Sequence, residues 1–167
     1  MFDLINGLPV HPLVVHAVVV LVPLAALGTI AIVARPAWRA RFGVLVVAAA
    51  AIGTILTPVS TSSGEALEKH VGDPGKHAEL GDQLIWFMIP LLVLALAVVL
   101  LDRRRARAGD SSTPRSGADS PTVFMVVAAL AVVAAVATTV QVYRIGDSGA
   151  RAAWGDQVSS SAGESGS

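Results

Sequence analysis

Apolar positions in this chain gather into four long runs, Leu13 to Ala34, Phe42 to Val59, Leu84 to Leu101 and Val123 to Val142, with polar residues collected between them. The runs are 22, 18, 18 and 20 residues long. A helix rising about 1.5 Å per residue needs about 20 apolar residues to cross a hydrocarbon core of about 30 Å, so each run predicts a membrane-spanning helix. A soluble fold built from such runs would have no polar face to show to water. Transmembrane strands alternate apolar and polar residues, and these runs do not, which excludes an outer-membrane barrel. The expected fold is all-α: an integral membrane bundle of four transmembrane helices.

The segments between the runs predict the rest of the architecture. Ser62 with Glu65 three residues on makes a capping box, and Glu65 with Lys69 adds an i, i+4 pair, predicting a short extracytoplasmic helix from about Ser63 to Val71 between spans two and three. Gly72 would end it. Asp73 and Pro74 read as an N-cap and first helical residue, starting a helix that carries His77 about two turns above the membrane and continues into span three. Residues 102–121 are rich in Arg, then in Ser, Gly, Asp and Pro, and read as a flexible cytoplasmic linker. Residues 1–154 thus form one four-helix membrane domain, and the Ser- and Gly-rich residues 155–167 read as a disordered extracytoplasmic tail. Ala49, Gly53 and Thr57 on span two, and Ala131, Ala135 and Thr139 on span four, make strips of small residues that allow close helix approach. Pro23 and Pro90 predict kinks in spans one and three.

Formal net charge is zero, but its distribution changes the picture. Arg35, Arg39 and Arg41 follow span one; Arg103, Arg104, Arg105, Arg107 and Arg115 follow span three. The opposite side holds only Lys69, Lys76, Arg144 and Arg151 among basic residues. The positive-inside rule then places both arginine loops in the cytoplasm and both termini outside. Asp3 precedes the first run with no Lys or Arg, and the run exceeds a signal-peptide core, so it reads as a retained span. Ten arginines against two lysines, with abundant Ala and Val, suggest a GC-rich bacterial genome, and hence the bacterial inner membrane.

All four histidines, His11, His16, His70 and His77, fall near run ends that face one side. His16 is the only Asp, Glu, Lys, Arg or His within the apolar stretches, so a charged relay across the bilayer is missing, which argues against an ion pump working alone. His11 and His16 would diverge by about 140° on one helix. With Pro12 as the first helical residue, however, His11 would stand at a non-helical cap and the rings need not diverge. Two imidazoles from neighbouring helices, His16 with His77 or with His11, could bind one divalent metal or clamp a haem b from both faces. The alternative for each is an ordinary interfacial histidine.

The stretch Leu8-Pro9-Val10-His11-Pro12-Leu13-Val14-Val15-His16, followed by Pro23-Leu24-Ala25, resembles the opening of the domain-of-unknown-function 2231 family of bacterial membrane proteins. Ser63-Gly64-Glu65-Ala66-Leu67, His77-Ala78-Glu79-Leu80-Gly81 and the closing Gly146 to Trp154 are similar too. The resemblance implies a four-span protein in a redox setting, since some members are joined to Rieske-type iron–sulfur domains. It implies no set activity. It points to His11, His16 and His77 as site residues, with Asp147 to Trp154 as an outer lid. With no cysteine here, a redox role would need a bound cofactor or a separate extracytoplasmic redox partner.

No histidine or cysteine lies on the arginine side to hold a second cofactor, so redox chemistry would stop at the outer leaflet. Nucleotide-loop, metalloprotease and nucleophile-elbow motifs are missing, so a non-enzymatic role is expected over an enzyme, which stays open. The few basic residues lie beside spans without interleaved aromatics, which argues against nucleic acid as a partner; the lipid bilayer is the expected one, and a homo-oligomer stays open. Three classes remain: a haem- or metal-binding redox accessory protein, a structural or partner-binding membrane protein, and a carrier component.

Overall fold

Each apolar run is the middle of a longer helix in the computed structural model, which describes residues 4–5, 8–71, 75–109 and 120–164. Two short strands, β1 (Leu4–Ile5) and β2 (Leu8–Pro9), pair antiparallel with Leu4 opposite Pro9. Four helices follow: α1 (Val10–Ala34), α2 (Pro36–Val71), α3 (Lys76–Gly109) and α4 (Pro121–Glu164). All four are long and apolar enough to cross a membrane. They form an up-and-down bundle in which α1 packs on α2, α2 on α3, α3 on α4 and α4 back on α1, while the diagonal pair α1 and α3 scarcely touches. The histidines lie at one end, and the turns rich in arginine at the other.

The helices exceed the expected bounds at three places. Residues 63–71 are helical as expected, yet they continue α2 without a break through Pro58 instead of forming a separate helix. Pro58 removes one backbone bond, to the carbonyl of Thr54, and such a loss is tolerated where neighbouring helices and hydroxyls support the backbone. Thr54 and Thr57 hydroxyls donate to Ala50 O and Gly53 O in that stretch. At the arginine end α3 runs on to Gly109, over residues read as linker, and α4 reaches Glu164, over residues read as tail. Gly72, Asp73 and Pro74, expected to stop one helix and start the next, lie outside the described residues, as do residues 110–119 of the linker. Gly75, with φ of 58°, supplies the carbonyl that receives Ala78 N and Glu79 N, so it starts α3.

Between α1 and α2 a single residue intervenes. Arg35 N donates to Ala31 O to finish α1, and Arg35 O accepts from Trp38 N and Arg39 N to begin α2, with Pro36 as the first helical residue. The chain reverses there at once.

Small residues let the helices close on one another. Ala49, Gly53 and Thr57 are all buried on α2 as expected. On α4 the strip is Ala131, Ala135 and Thr138, not Thr139, because spacings of four and then three follow the 3.6-residue turn better than a repeat of four. Only 22% to 39% of each apolar window is buried inside the bundle. Most large side chains, such as Leu24, Leu45, Ile55, Val93 and Val133, face outward. That surface suits lipid and would be untenable in water.

Exposed aromatics mark both edges of the lipid band. Trp38 and Phe42 stand at the arginine end, Trp86 and Tyr143 toward the histidine end. From Trp86 to Asp102 the helical rise is about 24 Å, and from Phe124 to Tyr143 about 28 Å, close to one hydrocarbon thickness. His77 lies nine residues before Trp86 on α3, or about 13 Å beyond that edge.

Candidate functional site

At the histidine end the bundle opens into a cavity of about 570 Å³. Its floor is apolar, from Val15, Val18, Leu84, Val142 and Ile145, and it is closed below by the buried hydroxyl of Thr57. His11 enters from α1 and His77 from α3, the two helices that stand diagonally across the bundle. Glu65, Glu68 and Asp82 complete the lining with carboxylates. Because Leu84 and Val142 lie at the level of Trp86 and Tyr143, the cavity spans the boundary between lipid and water.

Each histidine is held in the same manner by the following helix. The His11 ring lies against α2: Nδ1 is 3.0 Å from Ser60 O and 3.1 Å from Ser63 Oγ. The His77 ring lies against α4: Nδ1 is 3.1 Å from Ile145 O and 3.4 Å from Ser148 Oγ. In both seats the serine hydroxyl donates back to that same carbonyl, Ser63 to Ser60 O at 2.9 Å and Ser148 to Ile145 O at 2.8 Å. A glycine follows each serine. A methyl on Gly64 would come within 3.1 Å of His11 Cε1, and one on Gly149 within 3.0 Å of His77 Cε1 and Nδ1. Those two glycines are the space the rings occupy.

The hydrogen bonds fix the tautomer. A carbonyl only accepts, so Nδ1 must carry the proton in each ring. In the neutral imidazole, Nε2 of His11 and of His77 then keeps its lone pair. This is the arrangement in which metal-binding histidines are normally held, with the far ring nitrogen donating to a carbonyl and the near one free to coordinate.

His16 is not with them. The structure starts α1 at Val10, so His11 is already helical, and two residues five apart on one helix point about 140° from each other. His16 is exposed on the outer face of α1, with Nδ1 donating to Pro12 O at 2.5 Å, and it does not line the cavity. His16, expected to act with His77 or with His11, thus stands apart from the cavity that His11 and His77 line. The side chain of His70 lies outside the described residues. No group of three or more His, Asp or Glu side chains stands close enough to hold a bare metal ion among the described residues. Of the outer element from Asp147 to Trp154, Gly149 and Ala150 line the cavity, and Arg151 Nε pairs with Asp147 at 2.9 Å on the exposed side of α4.

Sequence reading missed the Ser-Gly seats. The signal was available, for Ser63-Gly64 and Ser148-Gly149 are the same dipeptide, each a few residues beyond the second and fourth apolar runs.

Four antiparallel helices with outward apolar faces, and a histidine cavity at one end, define a multi-pass membrane protein. The chain belongs to the predicted membrane protein family DUF2231, whose family model matches residues 7–162. No curated protein and no solved structure matches it.

Proposed function

We propose that this chain is an accessory protein of the bacterial inner membrane that holds a redox cofactor at its extracytoplasmic end, in the cavity between His11 and His77. The observation that carries this reading is the matched state of the two rings: each gives its Nδ1 proton to a helix carbonyl and keeps Nε2 free at one cavity. An ordinary surface histidine has no need of a dedicated serine, carbonyl and glycine. Haem b and a divalent metal are the two cofactors that such nitrogens serve. The eight basic residues among Arg35 to Arg41 and Arg103 to Arg115 support a cytoplasmic arginine end, and hence both termini outside. With every histidine at one end and no cysteine, electrons enter and leave on the outer side, from and to an extracytoplasmic redox partner.

Absorption spectra of the protein purified in mild detergent after expression with haem supply, oxidised and dithionite-reduced, together with metal analysis, test the reading. The expected result is a reducible cofactor bound at about one per chain, lost in His11→Ala and in His77→Ala and retained in His16→Ala. A colourless, metal-free wild-type protein would overturn it and leave a structural or partner-binding role.

A further inference from the structure

The two histidine seats are the visible end of a correspondence that runs the length of the bundle. Counting forward from His11 along α1, positions seven, eleven, fourteen, eighteen and twenty-one residues on are Val18, Val22, Ala25, Thr29 and Ile32, all buried. The same counts from His77 along α3 give Leu84, Met88, Leu91, Ala95 and Val98, again all buried. Counting back from Gly64 along α2, positions eleven, fourteen, eighteen and twenty-one residues before it are Gly53, Ala50, Val46 and Gly43; from Gly149 along α4 they are Thr138, Ala135, Ala131 and Ala128. All eight are buried. The repeat of three and four is the ordinary one for packed helices, but its phase need not agree between hairpins, still less when counted from a histidine and a glycine. At twenty-five residues before each glycine stand Arg39 and Phe124, and these two touch, with the guanidinium carbon 4.5 Å from the ring centre. Equivalent residues that meet lie near a symmetry axis. One such meeting is at the arginine end, and at the other end His11 and His77 line one cavity.

We infer that the chain is a tandem pair of helical hairpins, α1–α2 and α3–α4, related by an approximate two-fold axis along the membrane normal, and that its cavity takes an iron porphyrin on that axis with His11 and His77 as equivalent axial ligands. This rests on the cofactor reading above and names the cofactor. Two like Lewis bases that line one cavity from diagonally placed helices suit a ligand that accepts on two opposite faces. A metal in a planar macrocycle has those two positions open and supplies its other donors itself. A bare divalent ion requires four to six protein or water donors, and no cluster of three protein donors stands ready among the described residues. Size decides the same way: 570 Å³ has room for well over ten waters, far more than one ion and its shell, and falls in the range of sites for large organic ligands. The apolar floor suits the body of a macrocycle. Gly64 and Gly149 give the two rings the same close seat, and Ser63 and Ser148 stand beside their Nδ1 atoms alike.

The test uses the full chain in detergent, loaded with iron protoporphyrin IX, and reads spin state by electron paramagnetic resonance and near-infrared magnetic circular dichroism. The wild type is expected to be six-coordinate and low-spin with two imidazoles. His11→Ala and His77→Ala should each become five-coordinate and high-spin, with porphyrin affinity at least tenfold weaker, and added imidazole should restore the low-spin form in both. That rescue also shows that the variants are folded. Gly64→Ala and Gly149→Ala should raise the high-spin fraction to a similar extent. A porphyrin that responds to only one of the two histidines, or a protein that takes a divalent metal and no porphyrin, would overturn the paired-ligand inference while the cofactor reading stands. A protein that binds neither would overturn both.

Discussion

Arg39 is the residue on which the arginine end closes. In the sequence it is one of eight arginines in the two loops of the arginine side and counts only toward topology; in the fold its side chain is 6% exposed and touches the other three helices. Nε and Nη2 donate to Ile32 O and Val33 O, two carbonyls left over at the end of α1, Nη1 pairs with Asp102 of α3 at 2.8 Å, and the guanidinium lies over Phe124 of α4. Because the Asp102 carboxylate is 31% exposed, its loss of a partner is softened by water. Arg39→Met should then cost about 2–3 kcal/mol, and Asp102→Asn about 1 kcal/mol because the amide oxygen still accepts, as read by reversible denaturation in mixed micelles. No count of charges could have found this, since the partners lie 63 positions apart. His11 and His77 were legible as candidates from their place beside the apolar runs. Their pairing was not, because it turns on whether α1 starts at Val10 or at Pro12, which decides whether His11 is helical and so points away from His16. The cavity carboxylates have a measurable consequence as well. A negative charge about 10 Å from a cofactor that gains one electron disfavours reduction by about 0.4–1.7 kcal/mol for an effective dielectric of 80 to 20, or about 20–70 mV. Glu65→Gln should raise the midpoint potential by that amount in a redox titration.

At the scale of the helices, the contacts that set helix spacing are glycines against valines. A methyl on Gly28 of α1 would come within 2.8 Å of Val46 Cγ2 on α2, and one on Gly43 of α2 within 2.8 Å of Val99 Cγ2 on α3. Valine in a helix has one preferred rotamer and does not swing aside at low cost. Gly43→Ala gains about 1 kcal/mol of helix propensity but overpacks by about 1–3 kcal/mol, so a net loss of about 1 kcal/mol is expected. Adding Val99→Ala should remove the clash, and a double-mutant cycle should return a favourable coupling between the two changes. The four spans were legible because length and unbroken apolarity suffice to identify them. Their extensions were not: residues 60–71 and 102–109 are polar, and a polar segment reads as linker or separate helix unless its neighbours are known to carry it. Here α2 and α4 extend past the lipid edge and bring Gly64 and Gly149 against the His11 and His77 rings.

For the whole molecule, the orientation proposed above would set the cavity of the four-helix bundle at the outer boundary of the bilayer. The sequence has no cysteine, so single substitutions report orientation without background. Glu79→Cys, exposed at the histidine end, should react with a membrane-impermeant maleimide in intact cells, whereas Arg104→Cys, exposed at the other end, should react only after permeabilisation. The reverse pattern would put the cavity in the cytoplasm. The match between hairpins is not legible in the runs taken one at a time, because it lies in which positions are buried relative to His11, His77, Gly64 and Gly149, and burial belongs to the fold. The most direct test of the central claim is the cofactor content of His77→Ala set beside that of His16→Ala, purified identically. The account predicts near-complete loss in the first and wild-type content in the second. Equal retention in both, or loss with His16 alone, would contradict it.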